Sequence, residues 1–239
     1  MKRTLLLFIA VITCLFIYPQ DEKTVKRHSI VNFGMKGGFN STMYFVDQFK
    51  IQDVTIEKIQ NNYKVGYSGT IFLRINMKRN FIQPELSYNV SKSEIAFDKK
   101  GTQHPDIKPD YATISSTIRM VEFPLLYGYN FIKNGPYGMN FLIGPKLKYI
   151  WQQKSELDFE NFDQEGIHEK LYPFNISGVI GLSVNISNVF FDFRYEVGLH
   201  NISKYVVYDN LNAEGQERIS NIIFHRRSNA LSFSLGFIF

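Results

Sequence analysis

The 239-residue sequence predicts an all-β fold, an eight-stranded antiparallel up-and-down transmembrane β-barrel with four long extracellular loops. Three observations predict it. Eight segments alternate apolar and polar residues with period 2, the signature of a strand with unlike faces. The connections between them are short and long in turn, as in barrels with tight turns on one rim and long loops on the other. Beyond residue 20 no run of eighteen apolar residues occurs, so any membrane crossing by the rest of the chain would be by strands rather than by a helix.

Residues 1–20 read as a signal peptide: Lys2 and Arg3 precede the sixteen-residue run TLLLFIAVITCLFIYP. The charged stretch DEKTVKRH follows, and residues 21–29 are expected to form an N-terminal periplasmic segment before a barrel domain over 30–239. Cys14 raises a lipoprotein alternative, but Thr13 before it and LFIY after it depart from that pattern. Once Cys14 leaves with the signal, no disulfide or thiolate chemistry is available. Net charge falls from +5 to +3 with the loss of Lys2 and Arg3, too mild to argue for nucleic acid. Hydrophobic and charged contents of 44% and 21% resemble a soluble protein, whereas 15% aromatic residues ask for an explanation.

The first segment, 31–41, sets Val31, Phe33, Met35 and Phe39 against Asn32, Gly34, Lys36, Gly38 and Asn40. In 65–76, Val65, Tyr67, Ile71, Leu73 and Ile75 oppose Gly66, Ser68, Thr70, Phe72, Arg74 and Asn76. In 81–90, Ile82, Pro84, Leu86, Tyr88 and Val90 oppose Gln83, Glu85, Ser87 and Asn89. Segment 119–130 places Val121, Phe123, Leu125, Tyr127 and Tyr129 opposite Glu122, Pro124, Leu126, Gly128 and Asn130. Segment 138–151 places Met139, Phe141, Ile143, Leu147, Tyr149 and Trp151 opposite Gly138, Asn140, Leu142, Gly144, Lys146 and Lys148. Segment 174–186 repeats the pattern with Ile176, Ile180, Leu182 and Val184 against Asn175, Ser177, Gly181 and Ser183. The seventh, 189–200, reads VFFDFRYEVGLH, with Phe191, Phe193 and Tyr195 on one face and Asp192, Arg194 and Glu196 on the other. The chain ends in LSFSLGFIF.

Short connections fall at Lys78-Arg79, at KNGPY over 133–137 and at Ser187-Asn188; long ones span 42–64, 91–118, 152–173 and 201–228. Both termini then lie on the short-turn rim, expected to be periplasmic. Strand glycines gather on the polar face, where a narrow eight-stranded interior is crowded. Aromatics such as Tyr88, Tyr129, Tyr149, Trp151, Phe237 and Phe239 stand near strand ends, where interfacial girdles lie.

Six stretches carry a family resemblance: FGMKGGFN at 33–40, FIQPELSYN at 81–89, VEFPLLYGYNF at 121–131, FLIGPKLKYI at 141–150, FFDFRYEVGLHNIS at 190–203 and the terminal LSFSLGFIF. In that order they resemble the PorT-type outer-membrane β-barrel proteins of the Bacteroidota. The resemblance implies an eight-stranded barrel in the outer membrane of a Gram-negative bacterium. It also implies that Leu235, Phe237 and Phe239 belong to the signal read by the barrel-assembly machinery. The family's founding member serves protein secretion, so a secretion or envelope partner bound through the loops is one expectation.

The sequence holds no phosphate loop, metal-ligand cluster or nucleophile elbow, and implies no cofactor. His28, His104, His168 and His225 fall outside the strands, and His200 ends the seventh; no serine is selected to complete a rim triad, so the expectation is a protein that is not an enzyme. Asp158, Glu160, Asp163 and Glu165 lack an ordered calcium-loop spacing and read as a solvated acidic loop. The one constellation to interpret is the set of inward charges: Lys36, Arg74, Glu85, Glu122, Lys146, Lys148, Asp192, Arg194 and Glu196. Mixed signs favour a paired polar network filling a narrow lumen. The alternatives are a narrow pore for small solutes, a rim enzyme, and a soluble lipocalin-like barrel with the greasy face inside.

Overall fold

The strand ladder closes on itself, which is what makes the chain a barrel rather than an open sheet. The structure, a computed structural model, describes residues 30–51, 54–55, 59–98, 111–134, 136–159, 167–211, 217–219 and 222–239. Residues 1–20, expected to be a signal peptide and containing Cys14, the segment 21–29 with His28, and His104 lie outside the described residues.

Eight barrel strands follow in chain order: β1 (Val31–Ile51), β2 (Val65–Met77), β3 (Asn80–Asp98), β4 (Tyr111–Asn134), β5 (Tyr137–Phe159), β6 (Phe174–Ile186), β7 (Val189–Gly198) and β8 (Ile222–Ile238). Each pairs antiparallel with the next, and β8 returns to β1 from Gly34↔Ile238 to Ile51↔Ile222. No sheet edge is left along this wall, so every strand finds its ladder partners inside the protein, as a hydrocarbon solvent requires.

Alternation decides the two faces. On β7, Asp192, Arg194 and Glu196 are 1%, 6% and 5% exposed, while Phe191 and Phe193 are 40% and 49% exposed. Ile143 and Leu147 of β5, Ile180 and Leu182 of β6, and Leu231 and Phe233 of β8 also point outward. The buried face is polar and the exposed face apolar, the reverse of a soluble barrel with a greasy interior. Along β5 the outward run from Met139 to Tyr149 covers about 33 Å of strand. At a tilt of about 45° that is about 24 Å of height, close to the apolar band of an outer-membrane barrel.

The outer halves of the hairpins differ from the sequence expectation. Residues 42–64, 91–118, 152–173 and 201–228 read as loops, but β1, β3, β4, β5 and β8 run for 21, 19, 24, 23 and 17 residues and take up much of these stretches. The reason is physical: away from lipid the contrast between the two faces fades, so the period-2 signal weakens, while cross-strand hydrogen bonds continue. Two short strands, Val54–Thr55 and Ile59–Tyr63, pair with β1 and with the outer part of β3. Three more, Ile167–Leu171, Ser203–Leu211 and Glu217–Ile219, form a separate small sheet beyond the barrel. The seventh strand stops at Gly198, before Leu199 and His200.

Candidate functional site

The lumen concentrates the charges of the spanning strands. Period 2 turns Lys36, Arg74, Glu85, Glu122, Lys148, Asp192, Arg194 and Glu196 inward, and all are buried; Lys146 joins them at the centre. Fixed walls then let side chains from distant strands meet.

They form two networks. In the first, Arg194 of β7 donates to Glu85 of β3 through Nη1 (2.8 Å) and Nη2 (2.7 Å). The same guanidinium donates through Nε to Asp192 at 2.9 Å. Lys36 of β1 donates to Asp192 at 2.7 Å and lies 3.4 Å from Glu85. Gln83 extends this group by donating to Glu85 (2.6 Å) and accepting from Arg74 Nε (2.7 Å). The Arg74 guanidinium stacks on Phe81 at 4.2 Å rather than pairing with a charge of β7. In the second network Lys146 of β5 bridges Glu122 (2.9 Å) and Glu196 (2.7 Å), and Lys148 pairs with Glu196 from the other side. Asn40 donates to Asn89, and Asn89 donates to Glu122, at 2.9 and 2.8 Å.

The mixed signs match this geometry. A buried charge is tolerated only when it is paired and hydrogen-bonded. A fork-to-fork arginine–carboxylate contact is the strongest form of that pairing. Among the described residues are two small cavities, of about 30 and about 20 Å³, both lined by Asn89, Glu122 and Glu196. Each has room for about one or two water molecules.

Several lumen residues do not stand out in the sequence. Phe81, Leu126, Leu142 and Val179 form a buried apolar cluster, and Phe72 meets Phe190 edge-to-face at 5.5 Å. The signal that locates the rings is a glycine at the registered partner: Phe72 faces Gly34, Phe81 faces Gly128, and Phe190 faces Gly236. Arg226, in a stretch read as loop, lies fully buried on β8 with its guanidinium 4.0 Å from the Tyr44 ring. His200 and His225 are exposed, and the side chains of His168, Asp158, Glu160, Asp163 and Glu165 lie outside those described. At the closing seam Leu235, Phe237 and Phe239 face outward, and the Phe239 carbonyl accepts from Asn32 Nδ2 at 2.9 Å.

Comparison with known proteins agrees with this geometry. A family model described as outer membrane protein beta-barrel domain matches residues 20–204. Among solved structures the chain is similar to the outer membrane protein OprG from Pseudomonas aeruginosa, at 10% identity and a TM-score of 0.52, over 87% of this chain and 95% of that one. It is also matched to Ail, the attachment invasion locus protein of Yersinia pestis, at 10% identity, a TM-score of 0.36 and coverage of 87% and 99%. Neisserial surface protein A gives 11% identity, a TM-score of 0.35 and coverage of 87% and 97%. The likeness to OprG is one of fold. No curated protein sequence matches. The family match takes in β1 to β7, and β8 completes the wall by its register with β7 and β1. With lipid as the solvent of its outward face, this chain belongs to the outer membrane protein beta-barrel domain family.

Proposed function

We propose that this outer-membrane barrel is a non-conducting, non-catalytic scaffold whose recognition surface lies on the long hairpins and their connections. The observation that supports this most is the contact between Arg194 and Glu85. β7 and β3 stand four strands apart in a ring of eight, so this pair crosses the full width of the lumen. The two networks and the apolar cluster also lie inside the wall, and an eight-stranded barrel has little interior beyond its side chains. Recognition in such a protein falls to segments carried on the rigid wall.

On this reading residues 1–20 direct export, the termini and short turns face the periplasm, and the long hairpins face outward. The outward row of Leu235, Phe237 and Phe239 is read by the barrel-assembly machinery. The sequence resemblance to PorT-type proteins of the Bacteroidota supports a role at the envelope, as an accessory to secretion or as a binding protein. A narrow pore is the second reading, favoured by the two cavities that share Asn89, Glu122 and Glu196. Conductance in planar bilayers separates the two. The purified barrel is expected to give no regular single-channel steps. Stable steps that change size or vanish when Arg194 or Glu85 is replaced would overturn the closed-lumen reading.

A further inference from the structure

The short-turn rim carries a one-sided cluster of cations. Lys78 and Arg79 form the two-residue turn between β2 and β3, and Lys133 lies near the end of β4 on the adjacent hairpin. All three are exposed. Hydrogen bonds lock the two hairpins together: Asn130 donates its backbone N–H (2.8 Å) and Nδ2 (3.0 Å) to the Arg79 carbonyl. Lys133 Nζ donates to the Lys78 carbonyl at 3.2 Å, which holds its ammonium beside the turn. Among the described residues of this rim, 30–32, 77–80, 130–134, 136–137 and 186–189 contain no Asp or Glu. Phe239 is held beside β1, the strand next to β2, by its N–H to the Phe33 carbonyl and by its carbonyl to Asn32 Nδ2.

Two further observations give the cluster meaning. Lys78 has φ of 57°, in the left-handed region that Asn or Gly adopts most easily in such a turn. Ser187, at φ of 56°, takes up the same conformation in the β6–β7 turn without any charge. Both turns hold a non-glycine residue at positive φ, so the turn geometry does not itself call for a lysine. The outward apolar face also runs right up to the cations, through Met77, Phe131 and Ile132. Positive groups at the edge of a greasy belt stand at the depth of lipid phosphates.

We propose that Lys78, Arg79 and Lys133 form a binding site for the phosphodiester headgroup of an anionic glycerophospholipid, with its acyl chains against Met77, Phe131 and Ile132. Arg79 can grip two phosphate oxygens at once, and the lysines add point charges. A soluble acidic partner would meet the cations but leave the adjoining apolar side chains Met77, Phe131 and Ile132 uncovered, which is why the lipid fits this place better. The site needs only that the barrel spans a bilayer, and it stands whether or not the lumen conducts.

Native mass spectrometry of the protein in neutral detergent tests it, with dioleoylphosphatidylglycerol and dioleoylphosphatidylcholine as probes. The protein is expected to retain one phosphatidylglycerol in preference to phosphatidylcholine. Arg79→Gln should weaken that retention roughly fivefold, and the triple variant Lys78→Gln, Arg79→Gln, Lys133→Gln by well over tenfold. Lys133→Arg should keep it. Raising salt from about 20 to about 300 mM should release the lipid, because exposed charges are then screened. Equal retention of both lipids, or retention indifferent to the triple substitution and to salt, would overturn the assignment. Heat-dependent gel migration reports whether the triple variant is folded. If it is not, the salt series on the unaltered protein makes the same decision.

Discussion

Arg194 of β7 and Glu85 of β3 join opposite walls of the barrel through two contacts of 2.8 and 2.7 Å. Removing one partner strands the other. Arg194→Ala leaves Glu85 with Gln83 and with Lys36 at 3.4 Å, and it takes a counter-charge from Asp192. A loss of about 3–5 kcal/mol is expected, in the range for a broken buried pair. Glu85→Ala should cost a similar amount. The double variant should cost less than the sum by about 1–3 kcal/mol, since each single change already breaks the shared contact. Denaturant unfolding in lipid vesicles measures all three, and strict additivity would show that the pair does not couple the two walls.

Phe81 and Gly128 give a packing prediction. They are registered partners on β3 and β4, and a Cβ added at Gly128 would coincide with the Phe81 ring. Gly128→Ala should therefore destabilise by about 1–3 kcal/mol through overpacking. Phe81→Ala should cost about 3–5 kcal/mol, as a large ring is lost from a filled interior. In the Phe81→Ala background Gly128→Ala should add little, within about 0.5 kcal/mol. That follows because residues in contact do not behave additively and the obstructing ring is gone. A full penalty for Gly128→Ala in both backgrounds would mean that backbone freedom, not the ring, keeps glycine there.

These two relationships also mark what the sequence reveals. Lipid on one side and a crowded polar lumen on the other impose period 2, so the inward direction of Asp192, Arg194 and Glu196 is readable from VFFDFRYEVGL alone. Partner choice is not readable, because the stagger between strands decides which inward residues share a height. Lys36 and Lys146 meet Asp192 and Glu196, whereas Arg74 turns instead to Gln83 and the Phe81 ring. Inward rings such as Phe72, Phe81 and Phe190 go against the polarity of their face, and only the opposing glycine betrays them. Arg226 is hidden for a third reason: its strand extends past the lipid, where alternation no longer separates two unlike solvents.

The lipid-facing assignment predicts a depth-dependent cost. Ile143 lies midway along the outward run of β5, between exposed Tyr137 and Trp151. Ile143→Arg should destabilise by about 2–4 kcal/mol, and Trp151→Arg at the end of the run by about 0–1 kcal/mol. Vesicle unfolding again gives both values. Equal costs at the two positions would place the hydrocarbon boundary elsewhere on the barrel.

Phe239 separates a structural role from a recognition role. Its backbone N–H donates to Phe33 at 2.7 Å and its carbonyl accepts from Asn32, so the last residue fastens the closing seam through main-chain atoms. The ring points outward and is 59% exposed. Phe239→Ala keeps the main-chain contacts, so the purified variant should refold into vesicles with a loss of about 1 kcal/mol or less, as for a partly exposed site. If the ring is read by the assembly machinery, the same change should lower the amount of heat-modifiable barrel in the outer membrane of cells several-fold. A matching defect in both settings would assign Phe239 to stability alone, because the vesicle experiment contains no machinery to read it.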